Sequence, residues 1–424
     1  MHLYRARNPR KSPLWQCVHR HFASFVELYP QEYQPRLGPL RPVIPQVVHK
    51  FLECGNLDRG FARIRCDHCR KEYLLAFSCK SRWFCPTCHQ KNVQTTAAFL
   101  TARVFAPVPH RHYVLAIPKM LRPYFRRHRS LLKCLCALAH QSLTEYLRAA
   151  ASSSLPSGER DGVRGRLDSF HPAVILTLHT FGEYLDFHPH VHALVADGLF
   201  TRDGVFHPLP ELPLKPLEEH FRAHILKLLV TLKLLPPERV QVLHSWKHSG
   251  FNVHAGAAVP PEHKAELEKL AQYILRNPFS VAKITLESPT DTVIYRSKLN
   301  PKINRNFEVF TPTDFLAAIT QHIPDKGAQM VRYYGWYSNK MRGQRRKRAE
   351  EAKEKAAWKS AAAAEQGCGA LARAAIEIIE HRALKPRRIP SRSWRELIKK
   401  VWEVDPLLCP YDIPSVITRC ASCR

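Results

Sequence analysis

The sequence predicts an α+β fold whose strands have mostly antiparallel neighbours. Strand-like runs rich in Val, Ile, Leu and Tyr alternate with helical periodicity through residues 101–340. Several of these runs are joined by connections too short for the crossover helix that parallel neighbours need. A cysteine-dense segment, residues 1–100, comes before this zone, and a basic segment of helical character, residues 341–424, comes after it. The predicted order is a small zinc-binding domain, an α+β domain and a basic helical tail.

Within the middle zone each element has its own signal. YVLAI (113–117) reads as a strand, and LLKCLCALAHQSLTEYL (131–147) has the 3.6-residue period of a helix. The Ser-, Gly- and Pro-rich stretch 153–165 reads as a loop. AVILTLH (173–179) and HVHALVA (190–196) are strands, followed by the amphipathic helix LEEHFRAHILKLLVTLKLL (217–235). RVQVLHSW (239–246) and FNVHAGAAV (251–259) predict a hairpin turned at KHSG. Pro260 and Pro261 mark the start of a helix through Asn277, and VIYRSK (293–298) is a further strand. The segment from Met341 begins a long basic helix, broken near the GCG of residues 367–369.

Composition narrows the function. The 424 residues carry a formal net charge of +29, which points to a polyanionic partner, most often nucleic acid. A hydrophobic content of 45% excludes a wholly disordered chain. No apolar run is long enough to span a bilayer, and the basic N-terminal stretch MHLYRARNPRKSPLWQ has no apolar run behind it. The chain is therefore expected in the cytoplasm. Thirteen cysteines in that setting favour metal over disulfides.

Cys66 and Cys69 form one C-x-x-C, and Cys85 and Cys88 form a second after fifteen intervening residues. Two such knuckles match a tetrahedral Cys₄ zinc site, each presenting two thiolates to one ion. With all four positions filled by protein, the zinc is structural. Cys54 and Cys79 lie close enough in sequence to substitute as ligands, and His89 is adjacent to Cys88.

The stretch HPHVHALV (188–195) raises a second metal question. Histidine is abundant, with 24 copies, and HRH pairs at His19/His21 and His110/His112 show how cheaply such spacing arises. In a strand, however, Val191, Ala193 and Val195 share one face, and His190 and His192 share the other. Burial of the apolar face would hold the two imidazoles side by side. Pro189 cannot donate to a ladder, so the strand is expected to begin at or near His190. His179 ends the preceding strand, and a hairpin through TFGEYLDFHP would bring it beside the pair as a third ligand. Glu183, His188 and His254 are weaker candidates.

Taken in order, HTFGEYLDFHPHVHALVADG, the cysteine knuckles before it, GFNVHAG, LAQYILRNPFS and VRYYGWYS resemble insertion-sequence transposases of the IS91 type, in the HUH superfamily. The similarity runs over roughly residues 45–410. It implies a central antiparallel sheet, a bound Mg²⁺ or Mn²⁺ held by His190 and His192, and Tyr273 as the nucleophile. His179 matches a histidine of the family pattern, and its role as a third ligand rests on the hairpin argument. The family's usual Gln is Glu183 here. Asn277 stands where some members carry a second tyrosine, so this is a single-tyrosine pattern. Cys409 is followed by Pro410, Tyr411 and Asp412 instead of the family's second knuckle, with Cys420 and Cys423 farther on.

The implied reaction cleaves and rejoins single-stranded DNA at element ends through a 5′-phosphotyrosine. A metal would offset charge on the phosphate, and imidazole ligands favour Mn²⁺ over Mg²⁺. In its helix Leu267, Leu270, Ala271 and Ile274 form the buried stripe, which puts Tyr273 at the margin with a reachable hydroxyl. Tyr295, Tyr333 and Tyr334 are rivals, and RYYGWYS also suits core packing or base stacking. Arg122, Arg126 and Arg127 in RPYFRRHR, and Arg345, Arg346 and Lys347 in RGQRRKR, are candidate DNA contacts, as is KPRR (385–388). Two other readings compete. One is a zinc-containing DNA-binding protein without catalysis. The other is a metal-dependent hydrolase that uses the histidines and forms no tyrosine intermediate.

Overall fold

The computed structural model describes residues 8–65, 70, 72–81, 83–154, 169–246, 248–287, 290–301, 304–365, 408–409, 412–416 and 419–423. Helix α1 (Pro13–Leu28) starts at Ser12, whose side chain accepts from the Trp15 N–H, with Pro13 in the first helical position. Leu14, Cys17, Val18 and Phe25 form its buried face. Helix α2 (Val43–Leu52) precedes a hairpin of β1 (Phe61–Arg65) and β2 (Glu72–Ala76), and α3 (Pro86–Phe99) follows.

Next come β3 (His110–Ala116), the short α4 (Arg122–Arg127), α5 (Leu131–Ser154), β4 (His171–Phe181), β5 (Phe187–Phe200) and β6 (Phe206–Pro208). Then follow α6 (Lys215–Thr231), α7 (Pro237–Ser245), β7 (Asn252–Ala255) and α8 (Lys264–Ile274). The strands β8 (Ile284–Glu287), β9 (Thr292–Asn300) and β10 (Arg305–Phe310) lead to α9 (Pro312–Thr320), β11 (Val331–Gly335) and α10 (Asn339–Glu365).

The expected central sheet has the order β11-β4-β5-β3-β7, with β6 on β5, and all its pairings are antiparallel. One face carries Leu115, Val174, Leu176, Val191, Ala193 and Val195, which pack with Leu135, Leu143, Phe221 and Ile225 of α5 and α6. The other face is apolar at one end, where Ile175, Leu194 and Ala196 meet Val93 and Ala97 of α3 and Ala271 and Ile274 of α8. Both faces of β4 and β5 are therefore buried, which explains their nearly continuous apolar composition. Gly335 closes β11 at φ +54, where a Cβ would meet the Pro172 carbonyl oxygen at 1.8 Å.

A second antiparallel sheet, β10-β9-β8, joins α1, α2 and α9 in a separate core that includes Phe25, Tyr33, Phe84, Phe279, Val293 and Phe315. Residues 14–54 thus bury their apolar faces against residues 279–323. Arg41 fastens this joint, donating to the carbonyls of Thr320 and Ile323 and pairing with Asp325.

Two local expectations are corrected. Residues 239–246 do not form a strand paired with 251–259. The first of these segments is α7, begun by Pro236 and Pro237 and carrying Glu238 in its first turn. Its valines mimicked a two-residue alternation, but Val240 and Leu243 pack inward at helical spacing while Val242 is exposed. β7 instead pairs with β3. Nor does β5 wait for His190. It starts at Phe187, and a register shift between the His179 and Phe181 pairings takes up Pro189.

The tail is not wholly helical. Beyond α10, β12 (Leu408–Cys409) pairs with β13 (Asp412–Val416), and β14 (Arg419–Cys423) lies antiparallel on β1. KPRR (385–388) and the GCG break lie outside the described residues. Among the described residues no helix is long and apolar enough to cross a membrane.

Buried neutral histidines make the fold acid-sensitive. Burial pushes His110 and His140 down to about 4 and His322 to about 3, from an ordinary 6.5. The unfolded chain takes up protons below about 6.5 that the folded chain refuses. Their stabilisation is thus whole above that pH and is lost as pH falls toward the folded values. Each contributes a slope of up to about 1.4 kcal/mol per pH unit. Urea midpoints should fall steeply between pH 7 and pH 5, and a flat profile would contradict their burial in neutral form.

Candidate active site and cysteine cluster

The sheet register builds the histidine site. His179 on β4 lies directly opposite His190 on β5, and Thr177 lies opposite His192. Paired residues share a face, so His179, His190 and His192 point to the same side of the sheet. Their ligand atoms lie within 4.8 Å of one another, and all three residues are buried. The hairpin that the sequence predicted is the device that joins them.

Hydrogen bonds fix which nitrogen of each ring faces inward. His179 Nε2 donates to the Ile274 carbonyl at 2.7 Å, and its Nδ1 is buried with no hydrogen bond among the described residues. His190 Nδ1 donates to the His188 carbonyl at 2.8 Å. His192 Nδ1 lies 2.8 Å from His112 Nε2, and a proton placed on His192 completes that bond. The remaining nitrogens, His179 Nδ1, His190 Nε2 and His192 Nε2, then all present lone pairs. His190 Nε2 and His192 Nε2 are only 3.1 Å apart, a repulsive contact unless a proton or cation lies between them. Burial holds His190 at about 4 and His179 well below its usual value, so neutral imidazoles face this point at pH 7. The donor set fits a cation.

Tyr273 reaches the same place from α8. Leu267, Ala271 and Ile274 are buried while Tyr273 is 44% exposed, as its marginal position on the helix predicts. Its ring centroid stands 5.7 Å from that of His192 and 6.1 Å from that of His112. The Arg276 guanidinium lies 4.2 Å from the centre of the tyrosine ring, and its Nε is buried without a hydrogen bond among the described residues. Of the rivals, Tyr295 is buried among β9 neighbours, and Tyr333 and Tyr334 lie on β11. Glu183 accepts from Asn300 and does not join the cluster, and His254 is exposed beside Val114.

Sequence reasoning missed His112 and Arg276. His112 was one of the HRH pairs that abundance explains, and only the β3–β5 pairing brings it against His192. Arg276 carried no motif. Its place three residues after Tyr273, just past the end of α8, was the available signal.

The second cluster is sulfur. Cys54, Cys79, Cys85 and Cys88 bring their sulfurs within 4.8 Å of one another. Cys54 Sγ is 3.7 Å from both Cys85 Sγ and Cys88 Sγ. That is far beyond a disulfide bond, and it matches the edge of roughly 3.8 Å in a tetrahedron with metal–sulfur bonds of roughly 2.3 Å. Cys85 is the N-cap of α3 and Cys88 lies in its first turn, where the helix dipole favours thiolates. Cys66 and Cys69 lie outside the described residues, so the two partners seen for the Cys85–Cys88 knuckle are Cys54 and Cys79. Cys54→Ser is therefore expected to lose bound zinc while Cys66→Ser keeps it, as read by metal analysis of the purified chains. The reverse pattern would restore the pairing of the two C-x-x-C motifs.

The basic candidates divide. Arg122 and Arg126 on α4 are half-buried, each with an Nε that makes no hydrogen bond among the described residues, and Arg126 lies 5.2 Å from the Phe187 ring centre. Arg127 is exposed. On α10, Arg345 stacks on Trp336 at 3.9 Å and donates to its carbonyl. Arg346 and Lys347 are exposed and pair with Glu350 and Glu351 at 3.7 and 3.8 Å.

Two family models match parts of the chain. Residues 22–117 match a family model described as "Transposase zinc-binding domain", and residues 173–345 match one described as "Putative transposase". The "Transposase for insertion sequence element IS801" of Pseudomonas savastanoi pv. phaseolicola is 25% identical over 72% of this chain and 73% of its own length. "Putative transposase y4qJ" of Sinorhizobium fredii is 24% identical over 76% of this chain and 81% of its own. No solved structure matches the chain. The zinc-binding model and the four-sulfur cluster together support a structural Zn²⁺.

Proposed function

Because the chain belongs to the IS91-type transposases, we propose that it nicks and rejoins single-stranded DNA at insertion-sequence ends through a 5′-phosphotyrosine on Tyr273. The observation that carries the reading is the stacking of Tyr273 and Arg276 beside three imidazoles whose lone pairs converge.

The tyrosine oxygen attacks the scissile phosphorus, and the bond from phosphorus to the 3′-oxygen breaks. The phenolic proton leaves to water, which the exposed position of Tyr273 allows, and the departing 3′-oxygen takes up a proton. Arg276 offsets negative charge on the phosphate as the new bond forms. His112 and the Ile274 carbonyl keep His192 and His179 oriented, and the buried β4–β5 pairing keeps the imidazoles neutral. His179, His190 and His192 would hold Mg²⁺ or Mn²⁺, which would supply Lewis-acid stabilisation of the phosphate. Rejoining reverses the steps, with a 3′-hydroxyl attacking the phosphotyrosine, so the bond energy is kept. Arg122, Arg126, Arg127, Arg345, Arg346 and Lys347 track phosphates on the flanking strand.

The test is incubation with single-stranded oligonucleotides that carry an element end, with Mn²⁺ or Mg²⁺, followed by denaturing electrophoresis. A covalent protein–DNA adduct is expected. Cleavage without an adduct would favour the hydrolase, and binding without cleavage would favour the non-catalytic zinc protein.

A further inference from the structure

A cavity of about 780 Å³ opens along β11, outside the histidine cluster. Pockets that hold organic ligands run roughly 300–1,000 Å³. Trp83 and Tyr333 supply aromatic surface in its wall, and Lys80 and Arg332 supply positive charge. Its one carboxylate, Asp325, is already paired with Arg41 and Arg129. Asn92 and Asn339 add amide donors and acceptors.

The backbone contributes as well. β11 is an edge strand. The Leu178 N–H donates to the Met330 carbonyl and the Trp336 N–H to the Pro172 carbonyl, so the even-numbered residues pair with β4. The N–H and C=O groups of Val331 and Tyr333 therefore turn to the open side. Trp83 is held in advance, at φ 64, with its N–H donating to His89 Nδ1 and its ring 4.5 Å from that imidazole.

We propose that this cavity binds an unpaired nucleotide of single-stranded DNA, its base on Trp83 and Tyr333 and its phosphate on Lys80 and Arg332. Tyr334 points to the opposite face of β11 and is stacked on His140 at 4.2 Å. Aromatic faces accept a base only when it has left its stack, and cations beside them suit the attached phosphate. The site also has a place in the reaction. Leu275 lines the cavity, the neighbouring Ile274 carbonyl accepts from His179, and Tyr273 comes one residue earlier. A nucleotide held there registers the strand against the nucleophile. The inference rests on the reading that the chain acts on single-stranded DNA.

The experiment uses the full chain and single-stranded oligonucleotides carrying 5-iodouracil at one position at a time, cross-linked by long-wave ultraviolet light and mapped by mass spectrometry. Cross-links to Trp83 or Tyr333 are expected from a narrow set of positions, and none from the same oligonucleotides annealed to a complement. Lys80→Gln with Arg332→Gln should weaken single-strand binding about tenfold and make its salt dependence shallower by roughly one to two phosphates. Cross-links confined to other surfaces, or unchanged affinity in the double variant, would overturn the proposal. Phosphotyrosine adducts without cavity cross-links remove the pocket and leave the nicking reading intact. Cavity cross-links without adducts do the opposite.

Discussion

Tyr273→Phe is expected to abolish the covalent adduct and to lower strand cleavage by about 10⁴-fold or more. The substitution removes one oxygen and keeps the ring, so the Arg276 contact at 4.2 Å survives. With Tyr273 44% exposed, stability should stay within roughly 0.5 kcal/mol of wild type. Thermal melts of the two proteins should therefore superimpose while the adduct band disappears. Tyr295→Phe provides the contrast. Burial pushes that hydroxyl up to about 12, and it is enclosed in the second core, so its loss should leave the adduct in place. An adduct that persists in Tyr273→Phe and vanishes in Tyr295→Phe would move the nucleophile to the second core.

His192→Ala is expected to cost about 10²- to 10³-fold in cleavage and to remove measurable Mn²⁺ binding. His192 is the centre of the cluster, 3.1 Å from His190 Nε2 on one side and 2.8 Å from His112 Nε2 on the other. Removing it disconnects both neighbours. His112→Ala leaves all three inward nitrogens in place and removes only the group that orients one ring. Its expected cost is smaller, about 10- to 100-fold, as for other partners behind metal-binding histidines. Calorimetric titration with Mn²⁺ separates the two. Equal affinity in wild type and His192→Ala would mean that the lone pairs do not hold a cation.

How much of this was legible in the sequence depended on range. The β4–β5 hairpin was readable because its apolar runs and its turn lie within thirty residues, and it alone brings His179 beside His190. Tyr273 was placed at the helix margin from local periodicity, without tertiary information. His112 was not legible, because β3 and β5 pair across about eighty residues and HRH is common in a histidine-rich chain. Cys54 and Cys79 had no knuckle spacing of their own, so only the packing of α2 near α3 shows that they complete the sulfur cluster. α7 was misread because three apolar residues in four satisfy either period, and the core on one side alone decides between them.

One contact ties the two clusters together. His89 follows Cys88 on α3, and its Nε2 donates to the Leu275 carbonyl at 2.8 Å, just past the residue that carries His179's acceptor. Through this bond, ion binding at the sulfur cluster would be linked to the position of the end of α8. Any free energy that ion binding at the cysteines lends to the last turn of α8 must be returned in equal measure. DNA that seats Tyr273 should therefore tighten the hold of four cysteines that it never touches, and a strand already engaged protects the chain against chelators.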